Sequence, residues 1–313
     1  MPRLLSVVVP VYGCAPCLEE LVERIELAAQ GRCGALEVVL VDDASPDDAW
    51  SRIRELAARL PWVHGIRLAR NFGQHTAIAA GIEHATGDRI AVLDCDLQDL
   101  PEELPKLLEA SNRHDIVFAS REDRQDGLLK RLSSLAFART LSYLTGTRHD
   151  HRIANFGVFS RRVIDLVNAM PEHDRFFPLM VRWTGLPMAI VPVAHAARHS
   201  GESAYNLGKL VRLATNIVLS YSDKPLRLVV QIGLAFSAIA LAVVMLSVYR
   251  YSVGDVAVAG FTSIIASIWL IGGTMIFCIG IIGLYLGRLF TASKQRPRYV
   301  VGELTPLADG NSA

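Results

Sequence analysis

Asp94-Cys95-Asp96 follows the apolar run Ile90-Ala91-Val92-Leu93, so two carboxylates leave the end of what reads as a buried strand. In extended chain, residues two apart face the same way. Asp94 and Asp96 can therefore converge on one hard divalent cation, Mg2+ or Mn2+, with water and diphosphate oxygens completing its shell. Such a cation neutralises charge that develops on a departing diphosphate. The same residues also suit an acidic loop or helix cap, because Asp99 and Pro101 resemble a helix start.

Other reactive side chains carry weaker patterns. His64, His75, His84, His149 and His151 have no ligand spacing with a Cys or carboxylate partner, which makes satisfied or surface histidines the expectation. The five cysteines are odd in number and irregular in spacing, so no disulfide framework is expected and a reducing compartment fits them best. Cys14-Ala15-Pro16-Cys17 has redox-motif spacing without thioredoxin-like surroundings or a second pair for zinc. The turn Pro10-Val11-Tyr12-Gly13-Cys14 lacks G-x-G-x-x-G, which disfavours a dinucleotide-dependent oxidoreductase.

The elements that must position the carboxylates follow from hydropathy. Short β-branched runs at 6–11, 37–41, 63–68, 89–93 and 115–119 alternate with longer amphipathic stretches, the pattern of parallel strands joined by crossover helices. After Val41, Ser45 suits an N-cap, Pro46 a first turn, and Asp47 and Asp48 the positive end of a helix dipole. Polar loops then fall at strand C-termini, where open α/β sheets bind ligands.

At 313 residues and 51% hydrophobic, the chain has room for one sizeable domain plus an apolar appendage. Residues 228–249 and 256–287 carry no charge over 22 and 32 positions, against the roughly 20 that cross a bilayer core. Both are expected to span, at about 228–249 and 260–287. Lys209, Arg212, Lys224 and Arg227 precede the pair and Arg288, Lys294, Arg296 and Arg298 follow it, while only Arg250 is basic between them. That asymmetry assigns both the large domain and the tail to the cytoplasm. The expected divisions are a catalytic domain over 1–204, an amphipathic juxtamembrane segment over 205–226, two spans within 227–290 and a tail over 291–313. Residues 206–222 suit the interface or packing against the domain equally. The start at Met1-Pro2-Arg3 reads directly into a strand, with no signal peptide expected. A net charge of +1 argues against a nucleic-acid partner.

Motifs along nearly the whole chain carry a family resemblance. They are Val8-Val9-Pro10-Val11-Tyr12, Val41-Asp42-Asp43-Ala44-Ser45, Ala69-Arg70-Asn71-Phe72-Gly73, Asp94-Cys95-Asp96-Leu97-Gln98-Asp99, Arg198-His199-Ser200-Gly201-Glu202-Ser203-Ala204-Tyr205 and Ser220-Tyr221-Ser222-Asp223-Lys224-Pro225-Leu226-Arg227. In this order and spacing the sequence resembles the family 2 inverting glycosyltransferases, in particular those acting on polyprenyl phosphates of the dolichol-phosphate type. The resemblance implies a GT-A fold, Rossmann-like with a mostly parallel sheet, carrying two transmembrane helices. It implies nucleotide contacts at Pro10, Tyr12, Asp42, Asp43, Asn71, Gly73 and Asp94, with Asp42 towards the base. Metal and diphosphate would lie at Asp94 and Asp96, with Gln98 beside them. Asp42 also reads as a capping residue, and Asp47 and Asp48 as helix-start charges.

The expected reaction moves one sugar from a UDP- or GDP-sugar to a polyprenyl phosphate at the cytoplasmic leaflet of a bacterial inner membrane, with inversion and for cell-envelope glycan assembly. A phosphate monoester has a second pKa near ~6, so the nucleophile is already largely ionised and needs positioning more than deprotonation. Arg121, Lys130, Arg131 and Ser134 are the acceptor-phosphate candidates, and Arg198 is a further phosphate contact. Many bacterial relatives carry Gly-Asp-Phe-Arg where this chain has Ala154-Asn155-Phe156-Gly157, so the Asp discussed there as a base is absent. Either no base is used, or Glu172 or Asp174 supplies one. Ala204 replaces a usual Lys, weakening a phosphate contact in that loop. Two other functions compete. A processive polysaccharide synthase would carry Gln-x-x-Arg-Trp, whereas Leu179-Met180-Val181-Arg182-Trp183 lacks the Gln. A non-catalytic membrane scaffold would not need Asp94 and Asp96. The sugar, the lipid length and any homo-oligomer are left open.

Overall fold

The fold is that of a computed structural model, which describes residues 1–121, 153–170, 176–194, 224–253, 261–294 and 296–306. These divide into two compact units: one holds the described residues up to 194 together with 296–306, the other holds 224–253 and 261–294.

The first unit is built on one eight-stranded sheet. Its strands are β1 (Leu4–Val11), β2 (Ala35–Asp42), β3 (Val63–Leu68), β4 (Arg89–Val92), β5 (Ile116–Arg121), β6 (Ile153–Ser160), β7 (Met188–Val193) and β8 (Val301–Leu304). The spatial order is β7-β5-β6-β4-β1-β2-β3-β8. β6 runs antiparallel to β4 and β5, and β8 antiparallel to β3; the other pairs are parallel. The five expected strands are all present. The three others have no clean signal: β6 contains the Asn155 motif, β7 holds Pro192, and β8 is four residues long in what reads as a tail.

Helices α1 (Leu18–Ala29), α2 (Ala49–Arg59), α3 (Gln74–His84), α4 (Leu104–Ser111), α5 (Arg161–Ala169) and α6 (Phe177–Trp183) cover the two faces. On β1, Leu5, Val7, Val9 and Val11 pack with α1, α2 and α4, whereas Val8 packs with α3 and α5 on the other side. A sheet buried on both faces needs continuous rather than alternating apolar strands, which is how β1 and β2 read. Each such aliphatic side chain contributes roughly 1.5–3 kcal/mol by leaving water. α3 approaches the sheet closely because it presents Ala77, Ala80 and Gly81; a Cβ at Gly81 would overlap Val8 Cγ1 and lie 3.0 Å from Val41 Cγ2. That approach fixes where Gln74, the first residue of α3, stands.

The second unit contains α7 (Lys224–Ser252) and α8 (Phe261–Ser293), of 29 and 33 residues. They form over the two charge-free stretches. Among the described residues one segment, Leu270–Gly287, is long and apolar enough to cross a membrane, with mean hydropathy 2.1 and none of it buried. The juxtamembrane residues 205–223 lie outside the described residues.

Candidate active site

The C-terminal ends of β1, β2, β3 and β4 point to one edge of the sheet, and the expected donor residues leave from them. β3 leads through α3 back across the sheet to β4, on the far side of β1 from β2. This reversal opens a crevice between β1 and β4, the place where open α/β sheets hold ligands. Pairing between these strands ends at Val8–Val92, with Leu93 N–H reaching Val8 C=O at 3.1 Å.

Asp94, Asp96 and Gln98 are half-buried on the rim, while Cys95, Leu97 and Asp99 are buried. The alternation matches the expected shared face, but an extended strand does not produce it. β4 stops at Val92, and the segment turns at Leu97, whose φ is 58°. A left-handed leucine costs roughly 1–2 kcal/mol, so surrounding contacts must hold it. Asp96 Oδ1 accepts from Gln98 N–H at 3.2 Å, and Gln74 Nε2 donates to Asp94 Oδ1 at 2.7 Å.

Asp42 is fully buried. Its Oδ1 accepts from Ser45 N–H at 2.9 Å, and Arg67 Nε stands 3.5 Å from its Oδ2, which accepts no hydrogen bond among the described residues. Arg67 is backed by Glu303 of β8 at 4.0 Å, and that glutamate accepts from Trp50 Nε1 at 2.8 Å. β8 therefore contributes to the edge that carries Asp42, a contribution for which the sequence offers only the unremarkable Glu303.

Asp43 clamps the neighbouring loop. Its two oxygens accept from Phe72 N–H and Gly73 N–H at 2.7 and 2.8 Å, which sets Gly73 (φ 95°) as the N-cap of α3 and leaves Asn71 exposed. Burial pushes the Asp43 carboxyl above its usual range, and those two hydrogen bonds oppose the shift. The helix start expected at Ser45 lies later: α2 begins at Ala49 with Asp48 at the N-cap position. Ser45 instead joins β1 to β2, its hydroxyl accepting from Gly13 N–H at 3.2 Å, and Asp47 accepts from Ala15 N–H at 3.0 Å. Pro10 is buried at the end of β1, and Tyr12 is 55% exposed just beyond it.

The cysteine expectation needs correction. Cys14 and Cys95 form a disulfide, with Cα atoms 6.3 Å apart although the two residues are 81 positions apart in sequence, while Cys17, Cys33 and Cys278 are free. Two loops far apart in the chain meet because β1 and β4 are sheet neighbours, which irregular spacing could not reveal. Among the described residues no group of three or more His, Cys, Asp or Glu side chains is placed to hold a metal. Among the described residues, a cation at this edge would rest on the two aspartates with Gln98 beside them. The donors that Asp94, Asp96 and Gln98 offer are hard oxygens, which fit Mg2+ or Mn2+.

Two further candidates lie at the same edge. Arg121 ends β5, and the register Val92–Gly157 carries Asn155 of β6 towards the level at which Asp94 leaves β4. Lys130, Arg131, Ser134, Arg198, Glu172 and Asp174 lie outside the described residues.

The model of glycosyl transferase family 2 matches residues 6–166. Undecaprenyl-phosphate 4-deoxy-4-formamido-L-arabinose transferase of Sodalis glossinidius is 33% identical over 301 residues, covering 95% of this chain and 92% of that protein. The prophage bactoprenol glucosyl transferase homolog of Escherichia coli K12 is 32% identical over 299 residues, covering 95% and 98%. Among solved structures, a mannosyltransferase from Pyrobaculum calidifontis in complex with GDP-Man and Mn2+ is 19% identical, covers 94% of this chain and 86% of its own, and gives a TM-score of 0.48.

Proposed function

The chain belongs to glycosyl transferase family 2, and on that footing we propose that it transfers a single sugar from a nucleotide-sugar to a polyprenyl phosphate at the cytoplasmic membrane face, for cell-envelope glycan assembly. The observation that carries this reading is the extent of the kinship. Likeness to undecaprenyl-phosphate sugar transferases runs over 95% of the chain, through the apolar helices as well as the sheet.

The donor lies along the edge formed by Tyr12, Asp42, residues 71–73 and Asp94, with Asp42 towards the base. Asp94 and Asp96, with Gln98 beside them, hold Mg2+ or Mn2+, which when bound offsets the charge of the leaving diphosphate. The acceptor phosphate oxygen forms the new bond to the anomeric carbon as the bond to the nucleoside diphosphate breaks, with inversion. No proton has to leave an ionised phosphate, so Asn155 at a position without a base is compatible with the chemistry. Arg121, with Lys130, Arg131, Ser134 and Arg198, serves to gather and orient that phosphate.

Two membrane crossings, by α7 and α8, fit the sheet better than one. Residues before 194 and the strand β8 belong to one folded unit, which supports an even number of crossings for the chain between them. The basic residues on both flanks support a cytoplasmic unit.

Membranes containing the protein, supplied with radiolabelled UDP- and GDP-sugars and undecaprenyl phosphate, test the reading. The expected product is a lipid-extractable, phosphate-linked sugar that requires Mg2+ or Mn2+ and is lost in Asp96→Asn. Labelling of soluble or protein acceptors alone, with no lipid-linked product from any donor, would reject it.

A further inference from the structure

We infer that the Cys14–Cys95 disulfide is a positioning clamp for the donor edge, so that metal and nucleotide affinity depend on whether it is closed; this rests on the donor-site reading above. The bridge lies where the sheet itself provides no tie. β1 and β4 part after Val8 and Val92, and β1 continues to Val11 paired only with β2 on its other side. The disulfide crosses that opening, joining the loop beyond Tyr12 to the residue between Asp94 and Asp96. Both sulfur-bearing residues are buried, at 6% and 9% exposure, while Asp94 and Asp96 on either side of Cys95 are half-buried.

The turn being held is one that resists its own conformation. Leu97 is left-handed, with a φ of 58°. With Cys95 tethered, Asp94 and Asp96 begin close to one arrangement, and binding a cation between them costs less ordering. Opening the bridge removes the one covalent tie across the opening, while the Gln74 and Gln98 hydrogen bonds and the burial of Leu97 are among the contacts that stay. Burial first, then Glu20 and Asp96, push the Cys17 thiol upward. A dithiol reductant opens the bridge by delivering two electrons and two protons. The S–S bond breaks, two thiols form, and the dithiol closes to its own cyclic disulfide. In a reducing compartment a bridge at such a place serves control more naturally than bulk stability.

The experiment uses the full chain in detergent or nanodiscs. Non-reducing peptide mapping after mild diamide oxidation identifies the bridge, and titration with Mn2+ plus UDP or GDP before and after dithiothreitol measures affinity. Hydrogen exchange over residues 93–100 reports the turn without any ligand. The expected result is a linked 14/95 peptide, faster exchange on reduction, and affinity lower by about three- to tenfold, the cost of ordering one or two side chains. Cys14→Ser should behave as the reduced protein in either state, and Cys33→Ser should respond as the parent does. Five free thiols after oxidation, or a closed bridge whose reduction changes neither exchange nor affinity, overturns the inference. A bridge that changes exchange while neither nucleotide binds in either state supports the clamp and counts against the donor-site reading instead.

Discussion

Gln74 donates its amide Nε2–H to Asp94 Oδ1 across 2.7 Å, linking the first turn of α3 to the loop that ends β4. The two residues lie 20 apart in sequence, and the contact exists because Gly81 lets α3 lie close against β1 and β2. Gln74→Ala should therefore loosen the aspartate without unfolding the domain, since the residue is exposed. The bond is solvent-exposed, so its loss costs about 1 kcal/mol or less, below the roughly 1.5–3 kcal/mol of a shielded bond to a charged group, and the Mn2+ concentration for half-maximal activity should rise about two- to fivefold. The melting temperature should stay within about 1–2 °C, as for surface substitutions. Unchanged metal dependence would show that Gln74 does not position Asp94.

Asp43→Asn should cost stability as well as donor binding. One amide oxygen can replace one carboxylate oxygen, but the amide nitrogen then faces Phe72 or Gly73 N–H as a second donor. The neutral side chain recovers part of the desolvation that raises the Asp43 pKa, and the unmatched N–H outweighs it. A net loss of about 1–2 kcal/mol follows, readable as a lower urea midpoint at constant slope.

His75 predicts an acid-side loss of stability. Its pKa is lowered to about 4 by burial, its Nδ1 has no hydrogen-bond partner among the described residues, and its ring meets Phe176 edge-on at 4.5 Å. The folded value lies below the unfolded one of 6.5, so the folded state binds fewer protons in between. The contribution is complete above about 6.5 and is lost as pH falls towards 4. Between pH 7 and pH 5 this removes up to about 2 kcal/mol. His75→Gln should flatten that part of the urea-midpoint profile, and an unchanged slope would place the titration elsewhere.

Glu303→Ala should act on donor affinity rather than turnover. It removes the acceptor of Trp50 Nε1–H and the charge behind Arg67, whose Nε faces Asp42. Arg67 and Glu303 are nearly half-exposed, so solvent screens them and the effect is modest. The donor KM should rise about two- to fivefold with kcat little changed, as for a loss of under 1 kcal/mol. Glu303→Gln should keep the Trp50 contact and lose only the charge. A fall in kcat at constant KM would contradict this role.

Hydropathy and motif order were sufficient for the α/β class, the first five strands, the apolar helices and the placing of Asp94 and Asp96 on a rim. These are local properties: a doubly buried strand needs consecutive apolar residues, and a charge-free stretch of helical length is visible in one dimension. Asp43 reads as a donor carboxylate from its motif, yet only the fold reveals that both its oxygens hold residues 72 and 73. The same limit hid β6 and β8, whose partners are supplied by sheet order rather than by their own short sequences. It also hid the disulfide at the Asp94-Cys95-Asp96 motif. Asp94-Cys95-Asp96 is written in the chain, but the partner of its cysteine is 81 positions away and is chosen by the adjacency of β1 and β4. Contacts closed across a sheet depend on which strands become neighbours, and that choice belongs to the packing of the whole domain.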